Sequence, residues 1–411
     1  MNHKLKPELL LPAGNLDKAL TALRYGADAI YMGGKAYSLR AKADNFDSET
    51  LGEAVRILHQ HMGKVYVTVN IFAHQRDLLA MPEYLESLQE IRVDGLIISD
   101  LGVLRLANRY APEIPITVST QANTTNVQAA LVYRDLGAKR IVLARELSLE
   151  EIYQIKAESG LEIEVFVHGA MCMAYSGRCL LSHYMTGRSA NLGECAHPCR
   201  YKYFLYEETR PQQTYSLEED ERGSYLMNSK DLCLLQALPD LIAAGVDSFK
   251  VEGRMKSQLY VASVGSVYRQ AIDAWQEDPS QFSNLLTAWQ EELLKTATRP
   301  FTSGFFYSRQ EDMEDRNKEV LAQSTEFAGV VTNYDEISHT VTVEQKSNFG
   351  PGDKLEFFLP GLLRLPVDLN VIWNQKGEPV DRARHPQEKI SFFWPEPIEN
   401  GTILRKEGGK R

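Results

Sequence analysis

From residue 8 to residue 168 the chain alternates between short apolar runs and longer amphipathic stretches. Candidate strands cover 8–12, 29–32, 64–70, 95–99, 116–119, 140–143 and 162–168. They show little polar alternation, as expected of strands covered on both faces. Helical patterns over 48–61, 81–91, 102–109, 126–136 and 148–159 separate most of them. The first helix, "NLDKALTALRYG", has Asn15 as N-cap and closes on Gly26. An eighth strand is predicted late, at 248–252 in "VDSFKVEGRMKS". Before it, "LCLLQALPDLIAAG" reads as a helix ending at Gly245, and after it 258–275 reads as another. Eight strands, each followed by a helix, predict a (β/α)8 TIM-like barrel. The alternative is an open doubly wound sheet, but no G-x-G-x-x-G follows the first strand.

The rhythm changes twice. Between strands seven and eight lies an insertion of almost eighty residues, with a cysteine-rich part at 169–235. It carries an aromatic strand pattern, "YKYFLYEE", an acidic turn, "SLEEDERGS", and a return strand, "YLMNS". Residues 276–319 read as a helical and irregular connection. Beyond 324 the apolar period drops to two in "FAGVVTNYD", "HTVTVEQK", "DKLEFFLP" and "KISFFWPEP". That is the pattern of a small all-β module. The expected organisation is therefore a catalytic domain over 1–323 and a β-domain over 324–411. The chain has no run of eighteen apolar residues, and the apolar stretch in "MNHKLKPELLLPAG" is too short for a signal-peptide core. A cytoplasmic protein without a membrane span is expected.

All five cysteines, Cys172, Cys179, Cys195, Cys199 and Cys233, fall within one 62-residue window. A reducing compartment disfavours structural disulfides, and an odd count leaves one thiol over in any pairing. The window begins just after strand seven, and carboxyl-end loops build the active sites of such barrels. Four thiolates suit zinc or an iron–sulfur cluster. Only Cys195–Cys199 has knuckle-like spacing, and Cys172–Cys179 is seven apart. That spacing favours a cluster held across several loops over a zinc ribbon. Buried thiols without metal are the bland alternative. H-E-x-x-H, G-x-S-x-G and G-x4-G-K-[ST] are absent from the sequence. The net charge of −10 argues against a general nucleic-acid-binding surface, though not against a local basic groove.

"EVFVHGAMCMAYSGRCLLS" closely resembles the signature of the collagenase-like peptidase U32 family. "LLLPAGNLDKALTALRYGADAIYMGG", "NSKDLCLL" and "FKVEGRMKS" resemble other segments of that family, over residues 8 to about 310. The β-module resembles its C-terminal domain, which is similar to domain two of elongation factor Tu. The resemblance implies hydroxylases that work without dioxygen and carry a [4Fe–4S] cluster. The layout is most similar to the branch that uses prephenate to form 5-hydroxyuridine at the wobble position of transfer RNA. It implies Cys172, Cys179, Cys195 and Cys233 as cluster ligands, with Cys199 as a spare able to replace Cys195 or Cys233. A peptidase of undefined catalytic type and a zinc-stabilised RNA- or protein-binding adaptor remain the other readings.

Four more residues are candidates for substrate binding. Arg145 follows strand six and Arg254 follows strand eight. Guanidinium pairs bidentately with carboxylate, so both suit a dicarboxylate such as prephenate. The alternative for each is a rim salt bridge to Glu146 or Glu252. His168 ends strand seven and is read as a proton or hydrogen-bond donor or as a structural group. Glu252 is read as orienting Arg254 or acting as a base. Asn70 and Gln121 are plausible contacts from strands three and five. Tyr175 and Tyr201 are read as stacking platforms for a splayed base or as local packing. For the anticodon region of transfer RNA, a basic track is expected from Arg178, Arg188, Arg200 and Lys202 towards the basic end "LRKEGGKR".

Overall fold

The computed structural model describes residues 6–38, 46–171, 175–176, 179–188, 195–196, 198, 219–220, 223–224, 230–307 and 324–408. Contacts divide the chain into two compact units. The first comprises Met1–Ala19, Ala27–Met255 and Arg299–Val320, and the second Leu20–Gly26, Lys256–Thr298 and Leu321–Arg411.

The first unit is a closed parallel barrel. Its strands are β1 (Glu8–Pro12), β2 (Ala29–Gly33), β3 (Lys64–Val69), β4 (Gly95–Ile98), β5 (Ile116–Val118), β6 (Arg140–Val142), β7 (Glu162–Ala170) and an eighth, Ser248–Val251. Neighbours pair in sequence order, and the eighth strand closes the ring by pairing with both β7 and β1. The predicted strand ends agree to within two residues. Helices return the chain over the apolar outer faces. One of them, Leu149–Ser159, starts with a capping box between Ser148 and Glu151 and ends on left-handed Gly160.

One expected helix begins as a strand. Asp231–Cys233 runs antiparallel to β7, with Cys233 opposite His168 and Asp231 opposite Ala170. Only then come a 3-10 turn, Leu235–Ala237, and a short helix, Leu238–Ala243. β7 outruns β6, which pairs only with Glu162–Glu164, so the far end of β7 offers unpaired backbone groups. Asp231–Cys233 satisfies them, which outweighs local helix propensity. The expected strands "YKYFLYEE" and "YLMNS" lie outside the described residues.

The barrel interior holds charge. Lys250 and Glu164 are buried and meet at 2.7 Å, and Lys250 Nζ also lies 4.5 Å from the Tyr31 ring. Arg140 joins Glu164 at 3.2 Å, Glu8 at 2.6 Å and Glu162 at 2.8 Å. Tyr66 donates to Glu8 at 2.8 Å. Burial pushes the Glu8 carboxyl up, but Arg140, Tyr66 and Lys64 more than offset it and hold it below its ordinary value. Glu8, Lys64, Arg140 and Glu162 all open their strands. The network therefore braces the amino end of the barrel, away from the end where such folds do chemistry.

In the second unit, an eight-stranded antiparallel sheet covers 325–407. Val341, Val343, Phe357, Ile390, Phe392 and Leu404 fill its core. Helices Gln258–Glu277 and Pro279–Thr296 belong to the same unit. Leu259 and Ala262 pack with Val330, Phe358 and Ile403, and fully buried Glu292 adds polar links. It accepts from Arg405 at 2.5 Å, from Arg364 at 2.8 Å and from Ser263 at 3.2 Å. Arg405 also reaches Glu356 at 2.6 Å and covers the Phe358 ring at 4.1 Å. This corrects the basic end expected for an RNA track: Arg405 has no exposed surface, and Lys406 pairs with Glu326 at 3.0 Å.

Candidate active site at the barrel mouth

β7 leads from the interior to the mouth. Glu164 and Phe166 share one face of it by period two, and the register with the eighth strand shifts between Phe166 and His168. Glu164 holds Lys250, and the Phe166 ring faces Arg145 Cζ at 4.0 Å. His168 is buried, lies edge-on to Phe301 at 5.3 Å and stands opposite Cys233.

The described thiols lie on two segments. Cys233 ends the strand added to β7. Cys179 lies just before the short helix Leu181–Thr186, and Cys195 comes back to the same helix. There the Ala196 N–H donates to Ser182 Oγ at 2.9 Å, and Ser182 Oγ donates to the Arg188 carbonyl at 2.7 Å. Cys179, Cys195 and Cys233 are partly buried and outside any disulfide. Among the described residues no group of three or more Cys, His, Asp or Glu forms a metal site. Cys172 and Cys199 lie outside the described residues, as do Arg178, Arg200, Tyr201 and Lys202. Tyr175 is exposed, and so is Tyr184, which the sequence reading passed over.

The two arginines differ. Arg254 is buried, and its Nη1 donates to Ser38 at 2.8 Å and Thr68 at 2.9 Å. Ser38 and Thr68 themselves meet at 2.6 Å. Gly33 leaves room for this cluster, since a Cβ there would stand 2.7–2.8 Å from the Arg254 guanidinium nitrogens. Arg254 thus ties the loop after β2 and the last residues of β3 to the end of the eighth strand. Arg145 is half-buried. Its Nη1 donates to the Ala170 carbonyl at 2.5 Å, and its Nε is buried with no hydrogen-bond partner among the described residues. No described carboxylate lies within ion-pair reach of it. Burial pushes the Glu146 carboxyl up, with its own backbone amide and the Arg145 charge offsetting part.

Neutral polar groups line the neighbouring strand ends. Asn70 Nδ2 donates to Gln121 Oε1 at 2.9 Å, and Ser119 Oγ donates to the same oxygen. Ser99 Oγ donates to the Asn70 carbonyl at 3.0 Å. Asn123 Oδ1 and Thr124 Oγ1 are buried without described partners, on the loop between β5 and β6. Glu252 follows the eighth strand and donates its N–H to the His168 carbonyl at 2.8 Å. Gly169 permits that approach, since a Cβ there would stand 2.7 Å from the Glu252 carbonyl oxygen. The sequence pattern placed Asn70 and Gln121 at the ends of strands three and five, and the structure brings their amides together there. Ser38, Thr68 and Thr124 carried no signal, because hydroxyl residues beside strand ends are common.

A closed parallel barrel with thiols, an under-bonded guanidinium and paired amides at the carboxyl ends of its strands defines a barrel enzyme of the TIM class. The chain belongs to peptidase family U32: the family model matches residues 14–316, and the model of the U32 C-terminal domain matches 323–405. It is 42% identical over 402 residues to "tRNA hydroxylation protein P1" of Bacillus subtilis (strain 168), covering 98% of this chain and 95% of that one. It is 36% identical over 452 residues to "tRNA hydroxylation protein P" of Escherichia coli (strain K12), covering 98% of each. It is also 36% identical over 317 residues to the "23S rRNA 5-hydroxycytidine C2501 synthase" of the same organism, covering 76% of this chain and 47% of that one.

Proposed function

We propose that this protein is a transfer-RNA-modifying hydroxylase that converts the wobble uridine to 5-hydroxyuridine, with prephenate as co-substrate and a [4Fe–4S] cluster at the barrel mouth. The observation that carries this reading is the near end-to-end likeness to two proteins named for transfer-RNA hydroxylation. The family relative named for hydroxylating a ribosomal cytidine supports the same chemistry on a pyrimidine.

Cysteine thiolates are the donor chemistry a cluster needs. Cys179 precedes the short helix Leu181–Thr186, the Ala196–Ser182 bond ties the residue after Cys195 to that helix, and Cys233 stands opposite His168 of β7, four residues before Cys172 in sequence. Cys172, Cys179, Cys195 and Cys233 would hold it, and it would supply one-electron chemistry beside the substrate. The remaining work falls to the chain's own groups. Arg145 offers a positive charge with an unused donor for a carboxylate. Asn70 and Gln121 offer amides for a base edge, and Tyr175 and Tyr184 offer exposed rings for stacking. Arg254 holds the loops around them. Among the described residues no helix is long and apolar enough to cross a membrane.

Nucleoside analysis of transfer RNA from a strain lacking the protein is the direct test. Loss of 5-hydroxyuridine and its derivatives, restored by the wild-type chain, is expected. An unchanged nucleoside profile would overturn the reading.

Arg145 gives a sharper prediction. Arg145→Ala is expected to fold and keep its iron, but to lose activity at limiting prephenate and regain part of it at high concentration. A charge-assisted pair whose partner stays buried is worth about 2–5 kcal/mol, or roughly 30- to 5,000-fold in apparent affinity. Arg145→Lys should rescue poorly, because an ammonium cannot reproduce the planar fork. Normal prephenate dependence in Arg145→Ala would move the carboxylate site elsewhere.

A further inference from the structure

Two adjacent strands of the second unit's sheet turn a polar and aromatic face away from its core. Along Thr340–Gln345, buried Val341 and Val343 alternate with outward Thr340, Thr342 and Glu344. Along Lys389–Phe393, buried Ile390 and Phe392 alternate with Lys389, Ser391 and Phe393. Thr342 and Trp373 both stand opposite Ser391, and Thr340 stands opposite Phe393. The outward residues therefore form one patch of hydroxyls between two aromatic rings. A cavity of about 530 Å³ opens there, lined by Thr340, Thr342, Trp373, Asn374, Lys389 and Ser391. That volume lies within the roughly 300–1,000 Å³ typical of small-ligand sites.

The cavity is built. Asn374 Oδ1 accepts from the N–H groups of Lys376 and Glu378 at 2.9 and 3.1 Å, and its Nδ2 donates to Glu378 at 2.9 Å. This holds the turn that carries Trp373 to the rim. Thr342 and Ser391 hydroxyls meet at 3.1 Å on the floor. Phe393 is 60% exposed, and the His339 ring lies edge-on to it. Lys376 and Lys389 have no ion-pair partner among the described residues, and Glu344, opposite Lys389, is taken by Lys346.

The chemistry selects the occupant. Thr340–Gln345 is paired on both edges, so an added peptide strand has no backbone groups to meet. Only side chains are available: an indole face for stacking, hydroxyls and amides that donate and accept, and cations for phosphate. Those are the needs of an unpaired nucleotide. We propose that this cavity seats an unpaired nucleotide of the substrate RNA, its base on Trp373 and a neighbouring phosphate on Lys389. The inference rests on the reading of the protein as a transfer-RNA hydroxylase, and it adds a second RNA contact remote in sequence from the cysteine loop.

The test is equilibrium binding of labelled substrate transfer RNA to the full chain at fixed salt, followed by intrinsic tryptophan fluorescence. Stacking of one base predicts that Trp373→Ala raises Kd by about tenfold or more. Trp373→Phe keeps a stacking ring, so its Kd should stay near wild type while the RNA-induced quench disappears. Lys389→Glu, on the exposed rim, should weaken binding and flatten its salt dependence. Wild-type affinity and salt slope in folded Trp373→Ala and Lys389→Glu would overturn the inference while leaving the hydroxylase reading in place. Failure of the wild-type chain to bind transfer RNA would sink both. Self-association of the wild-type protein that Trp373→Ala abolishes, with RNA affinity unchanged, would make the face an interface between copies and also overturn it.

Discussion

Cys233→Ala is expected to purify as a folded chain that has lost its cluster iron and sulfide and no longer hydroxylates transfer RNA. Cys233 ends a three-residue strand whose backbone pairs with His168, Gly169 and Ala170. That pairing does not depend on the thiol, so the substitution removes a donor without removing the strand. The same loss is expected for Cys172→Ala, Cys179→Ala and Cys195→Ala, with Cys199→Ala milder. Iron and sulfide analysis of anaerobically purified variants reads the outcome directly. Full iron in Cys233→Ala with loss in Cys199→Ala would exchange their roles. A colourless wild-type protein containing zinc would remove the cluster and favour an adaptor that binds RNA.

Glu292→Gln is expected to give the largest loss of stability of any single exchange in the second unit. Glu292 and Arg405 are both fully buried, and Arg364 and Lys295 also lean on the same carboxylate. Neutralising Glu292 leaves the Arg405 charge in the interior with only Glu356, whose side chain is partly exposed. Removing one partner of a buried pair typically costs about 3–5 kcal/mol. Thermal and urea unfolding of the two proteins would measure it. Replacing Glu292 and Arg405 together by apolar residues should cost less than the single change, because no orphan charge remains. The pH dependence follows from the carboxyl. Burial pushes Glu292 up, but the Arg405 hydrogen bond and charge, with Lys295, bring it below its ordinary value of 4.5. Its stabilising contribution is therefore full above that value and is lost as pH falls through the depressed folded-state range. The gap between wild type and Glu292→Gln should narrow in acid. A constant gap down to the acid transition would mean that the pair is not ionic.

The strands of the barrel were legible because burial on both faces leaves a local mark. A run such as "ELLLP" has no polar side to show, and a glycine or a capping residue brackets it. The crowding of cysteines after strand seven was legible too, since loop position in a (β/α)8 fold follows from chain order alone. The element that carries Cys233 was not. Cys233 was expected to open a helix, yet the open edge of β7 drew it into a strand. A short apolar segment such as "DLCLLQAL" suits either state, and a partner more than sixty residues away made the choice.

Charge shows the same division. The arginine after the eighth strand was legible as a residue at the mouth, but its hydrogen bonds to Ser38 and Thr68 depend on a loop and a strand brought in from more than 180 residues away. Arg405 read as part of a basic tail, and tertiary structure turned it inward onto Glu292. Lys250 and Glu164 sit in strands whose composition otherwise reads as apolar, and only ring closure brings them to 2.7 Å. Periodicity and chain order thus determined which segments form strands, that eight of them close a barrel, and where the thiols enter. Which charge meets which was decided by register and closure. A side chain's local sequence fixes the face it takes, whereas its partner is set by contacts between segments far apart in the chain.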